Sequence, residues 1–314
     1  MATVLTSTKG LDRAAWLQAR RHGLGGSDIA AILGLNPWRS PLDVWAEKVS
    51  EEPSATEPPS EAAYWGQLLE DVVAKEFARR TGLKVQRRQA ILQHPTIPYL
   101  LANVDRIVRG DPDGPALLEV KTTGARHAGD WANDQVPAYY FPQVQHYLLV
   151  TGYRKAYVAC LIGGQELVIR TVPFLADWAK QIEEAAAAFW LCVETRTPPV
   201  IDGSVAAAKA LTLQFPHSNG QAVDLPAEAA QWAAEWLAAK QARKQAEARM
   251  TAAENRLKAI LGEAAEGRVA GYRVLWPERD RRTLDTKALK AQYPDLAAQF
   301  EQVQTYRTFD VKEA

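Results

Sequence analysis

Cysteine is scarce in this chain: Cys160 and Cys192 are the only two among 314 residues. Two cannot build a disulfide framework or a four-thiolate zinc site, and their scarcity fits a reducing, cytoplasmic setting. Long apolar runs are missing too. No stretch reaches the roughly 18 residues that a membrane-spanning helix requires. The opening MATVLTSTKGLDRAAW lacks the apolar core of a secretory leader. Net charge is also absent, with 37 basic side chains against 37 acidic ones. Taken as a sum, that neutrality counts against a nucleic-acid partner, since such domains usually carry a basic excess. What is present is ordinary globular composition, 47% hydrophobic and 24% charged, which excludes disorder along the whole chain. The length admits one large domain or two modest ones.

The neutral sum hides a distribution. Between Pro41 and Asp71 there are eight acids against the single base Lys48. Between Lys75 and Ala90 six bases stand against Glu76, and between Lys240 and Lys290 thirteen bases stand against seven acids. Such blocks are solvated helix faces on one reading and a phosphate-tracking surface on the other.

Punctuation and periodicity divide the chain further. Residues 10–22 read as a short helix, broken by His22-Gly23-Leu24-Gly25-Gly26. Ser27 or Asp28 caps the next, and Ser40-Pro41 opens a third that runs to Val49. EEPSATEPPS (51–60) reads as a flexible loop. A long helix is expected over 61–81, with Trp65, Leu68, Leu69, Val72, Val73 and Phe77 at helical spacing and Gly82 closing it. VQRRQAILQHP and YLLANVDRIVRG read as strands, and the turn Asp111-Pro112-Asp113-Gly114 folds the second against ALLEVKTT (116–123) as a hairpin. A helix over 137–151, a hairpin over 156–173 and an alanine-rich helix over 175–194 follow. Residues 197–224 look like a connector, 226–261 a long helix, and the tail a strand pair, one short helix (TKALKAQYPDLAAQF) and a last strand (TYRTFDVK).

The chemistry concentrates at Asp105 and Glu119-Val120-Lys121. Side chains two apart on a strand share a face, so Glu119 and Lys121 project together while Val120 points to the core. The hairpin brings Asp105 beside them. Two carboxylates and a carbonyl form a hard-oxygen site for Mg²⁺ or Mn²⁺. A neighbouring lysine can orient water or stabilise developing phosphorane charge as an ammonium, or deprotonate water as the free amine, which is the equipment of metal-assisted phosphodiester hydrolysis. Glu-x-Lys on a strand is also a common exposed sheet face. ALLEVKTT is otherwise apolar, however, and charges on a buried strand demand partners or a metal.

These residues resemble the PD-(D/E)XK nuclease superfamily, and within it the phage lambda exonuclease and YqaJ-type viral recombinase group. GLGGSDIAAILGLNPWRSPLDVW (23–45) is similar to that group's N-terminal motif, in which an Arg and a Ser seven residues apart bind a DNA phosphate; Arg20 and Ser27 have that spacing. YWGQLLEDVVAKEFARRTG (64–82) is similar to its helix with a metal-proximal Glu, which corresponds to Glu70. NVDRIV supplies Asp105, LLEVKTT supplies Glu119 and Lys121, and FPQVQHYLLVTG supplies the Gln-x-x-x-Tyr pair Gln143 and Tyr147. The motifs run in family order over about residues 10–195. The superfamily's usual Pro before the Asp is replaced by Val104.

The resemblance implies an α/β, restriction-endonuclease-like core, a mixed sheet flanked by helices, over 1–196, with a mainly helical C-terminal extension over 197–314. It implies a Mg²⁺-dependent 5′-to-3′ exonuclease on linear duplex DNA, with Mn²⁺ as a substitute, leaving 3′ single strands for an annealing protein. Asp105, Glu119 and the Val120 carbonyl would hold metal, with Glu70 assisting. Lys121 would act on the attacking water, its proton loss eased by the metal charge, with Gln143 positioning it. Arg20, Ser27 and Tyr147 would contact DNA phosphate. A ring-like homo-oligomer around DNA is the family habit. An endonuclease on the same core, or a non-catalytic DNA-binding recombination accessory, are the alternatives.

Several readings stay open at this level. Arg21 competes with Arg20, and Gln145 with Gln143. Ser27 is equally a helix cap, Glu70 an exposed helix position and Tyr147 a packing residue. His127 and His146 read as structural, the cysteines as filler, and Trp38 and Trp131 as loop residues able to touch bases.

Overall fold

A computed structural model of the chain describes residues 2–50, 60–302 and 305–313. The expected loop over 51–60 lies outside the described residues, save Ser60. The chain divides into two compact units, Met1–Gln214 and Phe215–Ala314. Among the described residues no helix is long and apolar enough to cross a membrane.

The first unit begins with β1 (Thr3–Ser7), α1 (Arg13–Arg21), α2 (Gly26–Ile32), α3 (Pro41–Val49) and α4 (Glu61–Thr81). The helix starts follow capping chemistry. Asp12 accepts from Ala15 N–H ahead of α1, Ser40 and Asp43 form a reciprocal box around Pro41, and Ser60 accepts from Ala63 N–H. Gly82 ends α4 in the left-handed conformation, φ 72°. Of α4's apolar positions, Val73, Ala74 and Phe77 are buried, whereas Trp65, Leu68 and Val72 face outward.

Next come β2 (Lys84–Arg87), β3 (Ala90–Gln93), β4 (Leu101–Ala102), β5 (Arg106–Arg109) and β6 (Ala116–Thr123). A 3₁₀ turn (Ala125–Trp131) leads to α5 (Phe141–Thr151), β7 (Lys155–Ile162), β8 (Glu166–Pro173), α6 (Ala176–Glu194) and α7 (Val205–Gln214). The main sheet has the order β2-β5-β6-β7-β8. Only the β6–β7 pair is parallel, joined by a crossover that contains α5; the other pairs are antiparallel. β6 alternates between two cores. Ala116, Leu118 and Val120 pack with Phe77 under α4, while Leu117 joins Val158, Cys160 and Leu148 under α2, α5 and α6. This is the mixed sheet flanked by helices that the resemblance implies.

The structure corrects the strand assignments. Each of the two long strand-like runs splits between sheets. β2 and β5 belong to the main sheet, whereas β3 and β4 join β1 in a separate antiparallel sheet. Both halves of each run are extended, so alternation alone carries no mark of the switch. The connector expected over 197–224 contains α7, whose Ala206 and Ala207 are buried and which packs on α3. Its VAAAKALTLQ sequence is rich in good helix formers.

The second unit comprises α8 (Ala229–Leu261), a hairpin of β9 (Glu266–Val269) and β10 (Tyr272–Leu275), α9 (Thr286–Gln292) and α10 (Pro294–Gln299). The single short helix expected over 286–300 is two. Pro294 lacks an N–H and disfavours helical geometry in the residue before it, and Tyr293 sits at φ −134°, ψ 65°. TYRTFDVK forms no strand among the described residues. Instead Phe309 meets Trp236 of α8 edge-on at 5.7 Å, and Asp310 accepts from Lys240 at 2.7 Å.

Candidate active site

Register on β6 builds the centre. Glu119 and Lys121 emerge on the α5 side of the sheet, where Lys121 Nζ donates to Glu119 Oε1 at 2.7 Å and to Gln143 Oε1 at 3.1 Å. Gln143 Nε2 donates to the same Glu119 oxygen at 2.6 Å and to the Tyr147 hydroxyl at 3.2 Å. Gln143 and Tyr147 lie one turn apart on α5 and therefore share a face. Asp105 sits immediately before β5, its Oδ2 accepting from Val120 N–H at 2.9 Å.

A second group converges from the N-terminal helices. Arg20, at the end of α1, lies over the Trp16 ring at 4.6 Å and donates to Ser27 Oγ at 3.2 Å. Gly26 makes this approach possible. A Cβ there would stand 2.7 Å from Gln143 Cγ and from Tyr147 Cε1, so α2 can press on α5 only without a side chain. Both groups line one cleft of about 340 Å³. It contains all nine positions read from the sequence: Arg20, Ser27, Glu70, Asp105, Glu119, Val120, Lys121, Gln143 and Tyr147.

The open alternatives resolve geometrically. Arg21 donates to the Ser50 carbonyl at 3.4 Å rather than lining the cleft. Gln145 is buried between the Pro173 carbonyl and the Leu175 N–H. Ser27 stands in the first turn of α2, whose cap is Gly25. His146 is buried with Nε2 on the Leu101 carbonyl, and burial brings its pKa down to about 4. His127 pairs with Asp130. Cys160 is core, its thiol pushed up to about 12 by burial. Trp38 is 64% exposed, but Trp131 is buried and so has no face to offer a base.

Electrostatics set the states. Burial lowers the pKa of Lys121, but Glu119 and Asp105 outweigh it and raise it, so the group is an ammonium. Burial, then the charges of Glu119 and Glu70, hold the Asp105 carboxyl well above its usual range. Crowded carboxylates of this kind favour a dication, and two carboxylates with a main-chain carbonyl suit Mg²⁺, which keeps much of its water. Among the described residues no three His, Cys, Asp or Glu side chains form a metal-holding cluster. Glu70 instead gives Oε1 to Arg106 at 2.5 Å, and the buried Arg106 also binds Asp71 and the Asp105 carbonyl.

Sequence reasoning missed Arg106, Trp16 and Asn103, of which the last two line the cleft. Asn103 lies two residues before Asp105 in an extended run, and Trp16 one helical turn before Arg20, so both carried a periodicity signal. Arg106 carried none.

A mixed five-stranded sheet flanked by helices, whose parallel pair presents a carboxylate and an ammonium to a cleft beside a guanidinium–hydroxyl pair, places the chain in the α/β class. Residues 15–154 match the model of the YqaJ-like viral recombinase domain. The chain is 39% identical over 316 residues to the uncharacterized protein YqaJ of Bacillus subtilis, covering 99% of this chain and 98% of that one. It belongs to the YqaJ-like viral recombinase family. Matched solved structures include the alkaline exonuclease LHK-Exo of Laribacter hongkongensis, 19% identical over 58% of this chain and 93% of that one, TM-score 0.49. Another is a phage-related exonuclease of Haemophilus somnus, 13% identical over 55% and 94%, TM-score 0.41.

Proposed function

We propose that the chain is a metal-dependent deoxyribonuclease that degrades linear duplex DNA from its 5′ ends, leaving 3′ single strands for an annealing protein in recombination. The observation that carries this reading is the convergence of Asp105, Glu119 and Lys121 on the cleft that also holds Arg20 and Ser27. Membership of a viral recombinase family agrees with it.

Asp105, Glu119 and the Val120 carbonyl would hold Mg²⁺, or Mn²⁺ in its place, with Glu70 acting through water; the cation would supply charge to the phosphoryl oxygens and acidify water. Lys121, tethered to Glu119 and Gln143, would direct its remaining N–H to the phosphoryl oxygens and stabilise the charge that grows there; where the metal charge eases loss of that proton, the free amine would take the proton of the attacking water. Gln143 holds Lys121 in place and is itself fixed by Tyr147. Arg20 and Ser27 take the terminal 5′-phosphate, which sets polarity. An assembly of copies closing around the duplex, read by its mass in solution, belongs to the same proposal.

Digestion of linear duplex with differently labelled 5′ and 3′ ends tests the reading. The 5′ label should be released first, as small products, only with Mg²⁺. Early loss of the 3′ label would overturn the polarity, and cutting of a covalently closed circle would make the protein an endonuclease. Arg20→Ala should reduce the preference for 5′-phosphorylated over 5′-hydroxyl ends about 10- to 100-fold, the worth of a charged hydrogen bond. Intact preference would put the terminal-phosphate pocket elsewhere.

A further inference from the structure

Beside Asp105 a second pocket of about 200 Å³ opens against the turn between β2 and β3. It shares Trp16, Glu70, Asn103 and Asp105 with the cleft but does not reach Arg20 or Ser27. The two cavities therefore adjoin at the carboxylate. The new wall is basic. It carries Arg87, the last residue of β2, and Arg88, the first of the turn, both from the basic block between Lys75 and Ala90.

Neither guanidinium has its donors fully used. Arg87 stands 3.7 Å from Glu70 and 3.9 Å from Asp71, longer than a hydrogen bond, because Arg106 already holds both carboxylates at closer range. Arg88 Nε is buried and has no acceptor. A buried donor without an acceptor is unfavourable, and an anion entering the pocket would complete it. Pairing with α4 accounts for the position of Arg87. It accounts neither for the orphaned Nε of Arg88 nor for the pocket that the two arginines line.

We infer that this pocket is a second phosphate site, in which Arg88 and Arg87 bind a phosphate or phosphodiester group adjoining the scissile one. The inference rests on the nuclease reading. Planar guanidinium groups match phosphate oxygens in pairs. With Arg20 and Ser27 at the other end, a strand is gripped on both sides of Asp105 and Glu119. The scissile phosphate is thereby stretched over the acidic centre, which by itself would repel it. The bound group is the next diester of the strand, on the 3′ side of the scissile bond, since the released nucleotide carries its own phosphate at Arg20 and Ser27.

Three measurements on the full chain test this. The first is cleavage of linear duplex by the wild type, which bears on the nuclease reading alone. The second is binding of the same duplex, as a function of salt, by Lys121→Ala with and without Arg88→Ala. The third is inhibition of the wild type and Arg88→Ala by inorganic phosphate and by deoxyadenosine monophosphate. If the site takes a strand diester, Arg88→Ala weakens binding and lowers the slope of log K against log salt by about 0.7 to 0.9, one phosphate contact. If the slope holds and inhibition by both small ligands is relieved, the pocket takes a free phosphate and the strand assignment is overturned. An unchanged slope together with unchanged inhibition overturns the inference. Absence of cleavage by the wild type overturns the nuclease reading instead and leaves the salt slope to decide the pocket. Should Arg88→Ala fold poorly, Arg88→Gln, which keeps the stem and removes the charge, must give the same shifts, and unchanged values for it overturn the site equally.

Discussion

Lys121→Ala is expected to yield a protein that still binds linear duplex DNA and scarcely cuts it, with turnover down about 10²- to 10⁴-fold, the worth of a positioned proton donor. The size of the effect follows from the company the ammonium keeps. It is three-quarters or more shielded from water, 2.7 Å from Glu119 and 3.1 Å from Gln143, and its charge also lies 4.7 Å from the Tyr140 ring centre. Among the described residues no other lysine lines the cleft, so none of them can take over its role. On the proposed reading, binding rests on Arg20 and the basic wall and should persist in a filter or anisotropy assay. Turnover like the wild type's would remove Lys121 from the chemistry and with it the assignment of the site.

Asp28→Ala is expected to cost about 3 to 5 kcal/mol of folding stability, a large share of the roughly 5–15 kcal/mol a domain possesses. Asp28 is fully buried, 3.0 Å from Lys48 Nζ and 2.7 Å from Arg39, and it accepts the Gly25 N–H at 2.9 Å. Its removal leaves the buried Lys48 ammonium with only Glu47 and the Arg20 carbonyl, each at 3.3 Å. The same residues anchor the Gly25-Gly26 turn and the end of α1, so the Arg20 end of the cleft should loosen together with the fold. Burial pushes the Asp28 carboxyl up, but Lys48, Arg39 and Arg20 together hold it well below its ordinary 3.8. Its contribution is therefore complete above about pH 3.8 and is withdrawn as acid approaches the lower folded-state value. Urea titration at neutral pH checks the loss. An unchanged midpoint would show that the buried cations find other partners.

The centre of the site was legible because its determinants are local. Glu119 and Lys121 are fixed by strand alternation, Gln143 and Tyr147 by one helical turn, and Arg20 and Ser27 by helix ends on either side of a glycine-rich break. Asp28 passed unnoticed except as a cap, since its partners Arg39 and Lys48 meet it only after α2 and α3 pack. Arg106 was invisible for the same reason: its acceptors lie on α4, and nothing in NVDRIV announces them. The switches between sheets at Arg88-Gln89 and at Asn103-Val104-Asp105 were hidden because an extended chain looks alike in either sheet. On α4 two apolar stripes run side by side, and periodicity alone could not tell that Val73 and Phe77 face β6 while Trp65, Leu68 and Val72 do not.

The hold on Asp105 comes from a main-chain amide, that of Val120, and not from any side chain. Every residue but proline offers that donor, so the aspartate's aim is immune to nearly every point change at position 120. It is vulnerable to length instead. One residue gained or lost within β6 ahead of Val120 would turn a different amide toward the carboxylate. For the aim of Asp105, the spacing along β6 matters more than which side chain stands at 120.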